Sequence, residues 1–169
     1  MEFGGRYIVA APRLAVWEAL NDTAVLKACI PGCRRIDWVD AASLEAEIGV
    51  NLGVVKPVFT GDLVLSNVVP AQSYTLTGRG RGGVLGMAEA SADIVLSDIG
   101  ADPVGRAGET RLVFVATGGA SGRIMQLGKK LVGNSAQRVI DGFFERFGEA
   151  MGAEVTPLPP ETESGPSAS

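Results

Sequence analysis

Five segments of alternating apolar and polar residues follow one another along this chain, and one long helical segment follows them. The alternating segments cover residues 44–50, 59–66, 74–82, 92–97 and 112–116. Alternation with a period of two is typical of strands with one buried face, and the turn residues between the segments favour an antiparallel meander. In residues 121–155 apolar residues recur every four positions, and this is the only long element available to cover the sheet. The pattern predicts an α+β fold, with a curved antiparallel sheet of about seven strands wrapped around a long C-terminal helix.

The N-terminal part of the chain adds one strand and two short helices to this fold. Residues 2–9 contain strand-forming residues, and residues 12–20 and 23–28 carry apolar residues at helical spacing. We therefore expect one domain over residues 1–155, followed by a disordered tail over residues 156–169, which are rich in Pro, Ser and Glu. A chain of 169 residues is long enough to bury a substantial core.

Composition excludes several classes of function. The chain has no histidine, which removes Ser-His-Asp and Cys-His catalysis and His-ligated zinc. Its formal charge is −4, so we do not expect it to bind nucleic acid. No apolar run is long enough to span a bilayer, and the N-terminus lacks the basic and apolar regions of a signal peptide. We expect a cytoplasmic protein.

The two cysteines, Cys29 and Cys33, flank the sequence Ile-Pro-Gly. They are too few to form a four-thiolate metal site, and a redox role requires an electropositive environment. We favour a packing role around a turn, because buried cysteine usually behaves as a small apolar residue. No metal site and no covalently bound cofactor are expected.

Glycines are concentrated on one face of the segment 74–82. Gly78, Gly80 and Gly82 share a face with Tyr74 and Leu76, and glycine in the interior of a strand packs nothing. The missing side chains could leave an apolar cavity between sheet and helix that a hydrophobic small molecule would fill. They could equally permit sheet curvature or a close approach of the helix, and the sequence leaves both interpretations open.

Several of these segments resemble the carbon monoxide dehydrogenase G-subunit family. The resemblance is carried by residues 16–22 (VWEALND) with 26–33 (LKACIPGC), by 74–80 (YTLTGRG) with Gly82-Gly83, and by 126–128 (QLG) with 143–147 (FFERF). It implies a START-like helix-grip fold, of the superfamily that includes polyketide cyclases. It also implies an accessory subunit of a molybdenum-containing carbon monoxide dehydrogenase-type hydroxylase, which recruits that enzyme to the cytoplasmic membrane and helps electrons reach the quinone pool.

A quinone or a lipid in the internal cavity is a natural extension of this role. The candidate ligand-binding residues are inward positions of the strands and apolar positions of the last helix: Phe59, Leu63, Leu65, Tyr74, Leu76, Gly78, Gly80, Ile94, Leu96, Phe114, Leu127, Leu131, Val139 and Phe143.

The last helical segment is basic in its first half. Arg123, Lys129, Lys130 and Arg138 precede Asp141, and no acidic residue lies between positions 121 and 140. The helix dipole disfavours basic residues at this end, which favours an external reason such as anionic lipid headgroups or an acidic partner. An ordinary solvated face remains an alternative. We predict membrane or partner contact here, with the protein peripheral on the inner face of the cytoplasmic membrane.

Titratable residues do not converge on the predicted cavity. Glu45 and Glu47 share a strand face that points away from the apolar side chains, and Asp62 and Asp93 also lie on outward faces. Catalysis needs polar groups where water is excluded, so we predict that the protein is not an enzyme. The alternatives are an enzyme of the cyclase or aromatase type, with Tyr74 or Tyr7 as its proton-handling group, and a soluble lipid carrier.

Overall fold

The computed structural model describes residues 1–100 and 108–159. The strands are β1 (Glu2–Val9), β2 (Cys33–Asp40), β3 (Ser43–Gly49), β4 (Val58–Val69), β5 (Ser73–Arg81), β6 (Met87–Ile99), β7 (Glu109–Ser121) and β8 (Val155–Pro157). The α-helices are α1 (Arg13–Leu20), α2 (Thr23–Cys29) and α3 (Lys129–Met151), and 3-10 turns cover Gly83–Leu85 and Arg123–Leu127.

All eight strands form one antiparallel sheet. Their order across it is β2-β3-β4-β5-β6-β7-β1-β8, so that β1 joins the end of the meander and pairs with β7. Helices α1 and α2 follow β1, and residues of α3 pack against the inner face of the sheet. The predicted α+β fold, with a curved sheet, a long C-terminal helix and two short helices after the first strand, is confirmed.

Two strands were not predicted from the alternation. In β2 the pairing with β3 shifts register between Cys33 and Arg35 and again between Trp38 and Asp40, so regular alternation is confined to the middle of the strand. Strand β8 pairs with β1 and enters the predicted tail, where Thr156 lies opposite Ile8. The ordered domain therefore extends past residue 155, and residues 160–169 of the predicted tail lie outside the described part.

The predicted helix over residues 121–155 is interrupted at its start. Gly122 and Gly128 have φ angles of 88° and 99°, which a residue with a side chain rarely adopts. The 3-10 turn lies between these glycines, and α3 begins only after Gly128. At the other end, Gly152 closes α3 in the left-handed conformation that commonly ends helices.

The core is densely packed in one half of the molecule. Tyr74, Ile94 and Phe114 lie opposite one another on three neighbouring strands and belong to the largest buried cluster. The C-terminal half of α3 covers them with aromatic rings, of which Phe144 stacks on Tyr7 with ring centroids 3.9 Å apart. This half of the interior is filled by side chains of the protein itself.

Candidate functional site

The inward side chains become small toward the end of the sheet that faces the N-terminal half of α3. In one row across the sheet, each residue pairs directly with the next on the neighbouring strand. This row contains Ala46, Gly61, Gly80, Ala88 and Ala120. The next inward row consists of Leu63, Gly78, Ala90 and Gly118. Small residues on adjacent strands cannot fill the space between sheet and helix, so this half of the interior is left open.

The result is an apolar cavity of about 280 Å³, which we call the hollow. The two rows of small residues form its floor, and Val132 and Ala136 of α3 form its roof. Met1 and Phe3 line it at the β1 edge, Ile48 and Phe59 at the β3–β4 side, and it is partly open to solvent. Three charged residues, Asp62, Arg79 and Glu89, contribute to its margin but are exposed, and Arg79 pairs with Glu89 at 3.6 Å.

The glycines of β5 play two different parts. Gly78 and Gly80 line the hollow. Gly82 is buried beneath the Phe59 ring, and a Cβ atom there would lie 2.7 Å from Cε1 of that ring. Gly78 and Gly80 thus contribute to the lining of the hollow, whereas the lack of a side chain at Gly82 lets the Phe59 ring pack closely against β5.

Substitution by alanine at two glycines of the floor, Gly61 and Gly80, should have different effects on the stability of the protein. A Cβ atom on Gly61 would overlap the backbone carbonyl of Arg79, whereas one on Gly80 would make ordinary contact with Phe59 at 3.4 Å. We expect Gly61→Ala to destabilise the protein by about 1–3 kcal/mol, as overpacking does. Gly80→Ala should be neutral or slightly stabilising, because alanine loses less conformational entropy on folding. Urea unfolding of both variants measures the difference, and equal losses would contradict this account.

Four of the fourteen predicted ligand-binding residues line the hollow, namely Phe59, Leu63, Gly78 and Gly80. Most of the others pack in the main core instead, where they contact one another: Leu65, Tyr74, Leu76, Ile94, Leu96, Phe114 and Phe143. Leu127 packs in a separate cluster with Leu52 and Ile124. Leu131 and Val139 are half-buried on α3 and do not line the hollow, because the helix turns Val132 and Ala136 toward it.

The residues that sequence reasoning missed are small ones on other strands. Ala88 and Ala90 alternate with outward residues on β6, and Gly118 and Ala120 do so on β7. This signal was present in the sequence but not decisive, because a small inward residue creates space only where its cross-strand neighbours are also small. The register that aligns them is a property of the paired sheet.

Neither tyrosine lines the hollow. Tyr74 is buried against the edge of Trp17, with ring centroids 5.4 Å apart, and burial raises the pKa of Tyr74 to about 12. Burial also raises the pKa of Tyr7, and the nearby Asp141 carboxylate raises it further. Both phenols are therefore neutral at physiological pH and lie in the packed half of the interior.

The buried phenol of Tyr74 should make stability fall in strong alkali. In the unfolded chain it ionises near pH 10, and in the folded protein near pH 12. Between these values the folded state holds the proton that the unfolded state has lost, so the free energy of unfolding decreases as the pH rises. We expect a loss of about 2–3 kcal/mol across this window, and Tyr74→Phe should remove most of it. Urea unfolding of the wild-type and Tyr74→Phe proteins at about pH 9 and about pH 11.5 measures how the stability of each depends on pH. An identical pH dependence in the two proteins would show that Tyr74 is not the group responsible.

The two cysteines lie on either side of a short turn, with Cys29 at the end of α2 and Cys33 at the start of β2. Cys29 is buried and Cys33 is half-buried, and burial is the main cause that raises the pKa of each thiol. Across residues 1–100 and 108–159, no three His, Cys, Asp or Glu side chains come together in a way that could hold a metal ion.

The four basic residues predicted to contact a membrane or partner are all exposed. Arg123 lies in the 3-10 turn before α3, and Lys129 and Lys130 begin the helix. Arg138 lies further along α3 and donates a hydrogen bond to Ser135 Oγ at 3.1 Å. None of the four pairs with a carboxylate in the described part of the chain. Within that part, none of the helices has the length and apolar character needed to cross a bilayer.

Solved structures of other proteins share the fold of this chain. A conserved protein from Geobacillus kaustophilus superposes with a TM-score of 0.76 at 21% identity, covering 92% of this chain and 99% of its own. The Zhui aromatase/cyclase from Streptomyces superposes with a TM-score of 0.60 at 16% identity, covering 89% and 93%. At these identities the likeness concerns the fold. No curated protein matches the sequence significantly.

The fold and the hollow together define a helix-grip protein with an apolar internal site. Within that class, the chain belongs to the carbon monoxide dehydrogenase G-subunit (CoxG) family, whose model matches residues 5–152. The match confirms the resemblance that the early helices, the glycine strand and the last helix carry in the sequence.

Proposed function

We propose that this protein is a non-catalytic accessory subunit of a molybdenum-containing, carbon monoxide dehydrogenase-type hydroxylase. In this proposal it binds a quinone or a lipid in the hollow. It recruits the enzyme peripherally to the inner face of the cytoplasmic membrane, so that electrons reach the quinone pool. The observation that carries ligand binding is the apolar hollow of about 280 Å³ between two rows of small residues and α3. Membership of the CoxG family supports the choice of enzyme partner.

The size of the hollow suits one part of such a ligand. An apolar cavity of about 150 Å³ accepts one benzene ring, and small-molecule sites begin at about 300 Å³. A volume of about 280 Å³ therefore suits a quinone ring or a segment of acyl chain. Because the hollow is partly open, the remainder of a long tail would extend out of it.

The wall of the hollow supports binding without catalysis. Its titratable side chains, Asp62, Arg79 and Glu89, are exposed to water at the margin. Tyr74 and Tyr7 pack elsewhere, so the proton-handling groups considered for a cyclase do not meet a bound ligand. An aromatase/cyclase-like enzyme is the second candidate, because the Streptomyces aromatase/cyclase shares the fold. A lipid carrier without a fixed enzyme partner is the third.

Competition binding tests the ligand proposal. The full chain is titrated with an environment-sensitive apolar fluorophore, and a short-tailed benzoquinone is then added as competitor. We expect the benzoquinone to displace the fluorophore, because both bury apolar surface in the same volume. A ring-sulfonated benzoquinone serves as the control and should compete far less, because a sulfonate would lose its hydration against a mostly apolar wall.

Displacement by a fatty acid, co-purification and a turnover assay are added to this experiment to separate the candidates. Failure of the neutral quinone and of a fatty acid to displace the fluorophore would overturn the proposal of an apolar ligand. Displacement combined with co-purification of the hydroxylase supports the accessory subunit, whereas displacement without any enzyme partner supports the lipid carrier. Turnover of an aromatic polyketide by the isolated chain would establish the cyclase instead.

A further inference from the structure

Three connections meet at the end of the sheet beyond the hollow. They are residues 50–57 between β3 and β4, residues 82–86 between β5 and β6, and residues 122–128 between β7 and α3. Leu52, Leu85 and Ile124, one from each connection, pack in one apolar cluster with Val132 of the roof. We call this end, with the flanking Arg81, Lys129 and Lys130, the three-loop tip.

The three-loop tip presents apolar side chains to solvent on its turns. Val54 is 77% exposed and Val84 is 82% exposed, the two highest values among the large apolar residues of the described ranges. Beside Val54, the Leu52 N–H donates to the Val55 carbonyl at 2.9 Å. Val84 is held in the 3-10 turn that follows β5. These valines are therefore held at two separate apices, and Met125, 37% exposed, lies on the third connection.

The charge of the three-loop tip has one sign. Residues 50–57, 81–87 and 121–130 contain five basic residues and no acidic residue, in a chain whose net charge is −4. The basic residues are Lys56, Arg81, Arg123, Lys129 and Lys130, and none of them pairs with a carboxylate within the described residues. The exposed Glu2 lines a crevice together with Lys129 and Lys130 without forming an ion pair there. Exposed apolar residues among unpaired cations are complementary to the headgroup region of an anionic bilayer.

We propose that the three-loop tip is the surface that docks on a membrane containing anionic lipids. Val54, Val84 and Met125 enter the boundary between headgroups and acyl chains, and the five cations contact the phosphates. Phe59, Ala120 and Val132 belong both to the tip cluster and to the hollow, so docking brings the hollow next to the bilayer. In this last respect the inference rests on the proposed function, because it gives an apolar ligand a route between membrane and hollow.

Of the basic residues predicted to contact a membrane or partner, Arg123, Lys129 and Lys130 belong to this docking surface and Arg138 does not. Arg138 lies nine residues after Lys129 on α3, about 13 Å along the helix axis. Its side chain is engaged with Ser135. Arg138 is therefore excluded from the docking surface, whereas Lys56 and Arg81, which are distant in sequence, are included.

Vesicle binding by matched variants tests the docking surface. The full chain is sedimented with phosphatidylcholine vesicles with and without roughly one third phosphatidylglycerol. The tip variant carries Arg123→Gln, Lys129→Gln and Lys130→Gln. The control variant carries Arg111→Gln, Arg138→Gln and Arg146→Gln, three exposed cations of equal total charge outside the tip. Thermal unfolding is measured for every variant, and the fluorophore assay above reports the hollow separately.

We expect the wild-type chain to bind only the anionic vesicles. The affinity should fall about fivefold for each basic residue removed, and so about 100-fold in the tip variant. The control variant should bind as wild type. Two double variants test insertion of the apolar side chains into the bilayer. Val54→Ser combined with Val84→Ser should weaken vesicle binding by about tenfold. Val95→Ser combined with Val115→Ser, on the outer face of the sheet, should leave vesicle binding unchanged.

Two results would overturn the docking surface: no binding to anionic vesicles, or equal binding of the tip and control variants. If vesicles do not bind and the tip variant also loses hydroxylase binding, the tip is assigned to an acidic protein. Normal fluorophore and quinone binding in any of these cases would leave the ligand proposal standing. Vesicle binding without any ligand binding would instead refute the proposed function and leave the docking surface in place.

Discussion

Ala136→Phe is expected to abolish most apolar ligand binding while leaving the protein folded. Ala136 lies in the roof of the hollow, and a benzene-sized ring needs about 150 Å³, more than half of the available 280 Å³. Excluding one ring of a ligand from apolar surroundings removes about 2 kcal/mol of binding free energy, which corresponds to about 30-fold in affinity. Titration with the apolar fluorophore and with the short-tailed benzoquinone measures the loss.

Two comparisons make this result specific to the hollow. Ala150→Phe introduces the same ring at an exposed position near the end of α3 and should bind the fluorophore as wild type does. The free energy of unfolding of the roof variant should stay level or rise, because the new ring replaces empty space with van der Waals contacts. Unchanged quinone affinity in a folded Ala136→Phe protein would show that ligands bind elsewhere.

Phe147→Ala should have the opposite pattern, with a large loss of stability and retained binding. Phe147 is fully buried at 0% exposure and stacks on Phe143 with ring centroids 5.5 Å apart. Replacing a buried phenylalanine by alanine typically costs about 3–5 kcal/mol, a large share of the stability of a single domain. The midpoint of urea unfolding measures the loss.

Binding distinguishes the packed half of the interior from the hollow. Phe147 does not line the hollow, so the fraction of Phe147→Ala that remains folded should bind the fluorophore with wild-type affinity. Val84→Ala, at a residue that is 82% exposed, should change the free energy of unfolding by no more than about 0.5 kcal/mol. A loss of about 1 kcal/mol or less in Phe147→Ala would contradict a tightly packed core at this position.

Much of the fold could be predicted from local sequence patterns. Alternation along residues 44–116 reports which face of each strand is buried, and the spacing in the last segment reports a helix that crosses the sheet. The pattern fails where tertiary contacts override it. Bulges interrupt the alternation of β2, and β8 has only three residues, which form a strand because β1 offers them an unpaired edge.

The candidate site was only partly predictable, for a related reason. The glycines at positions 78 and 80 indicated a cavity, and they do line it. Ten other predicted residues do not, since large inward side chains such as Tyr74 and Phe114 fill the space that they enclose. An inward position shows that a residue faces the interior, but not whether that part of the interior is filled.

Alternation, helical spacing and family motifs along the chain were thus sufficient to establish the architecture and the family. Each of these signals depends on neighbours within a few residues, which is the range over which sequence periodicity acts. The position of the hollow depends on cross-strand pairing, which brings Ala46, Gly61, Gly80, Ala88 and Ala120 into one row. The three-loop tip likewise brings together three connections that lie far apart in the sequence and are adjoined or carried by Lys56, Arg81 and Lys129. Space and surface charge are properties of such long-range neighbours, so both became visible only once the sheet was paired and the helix was packed on it.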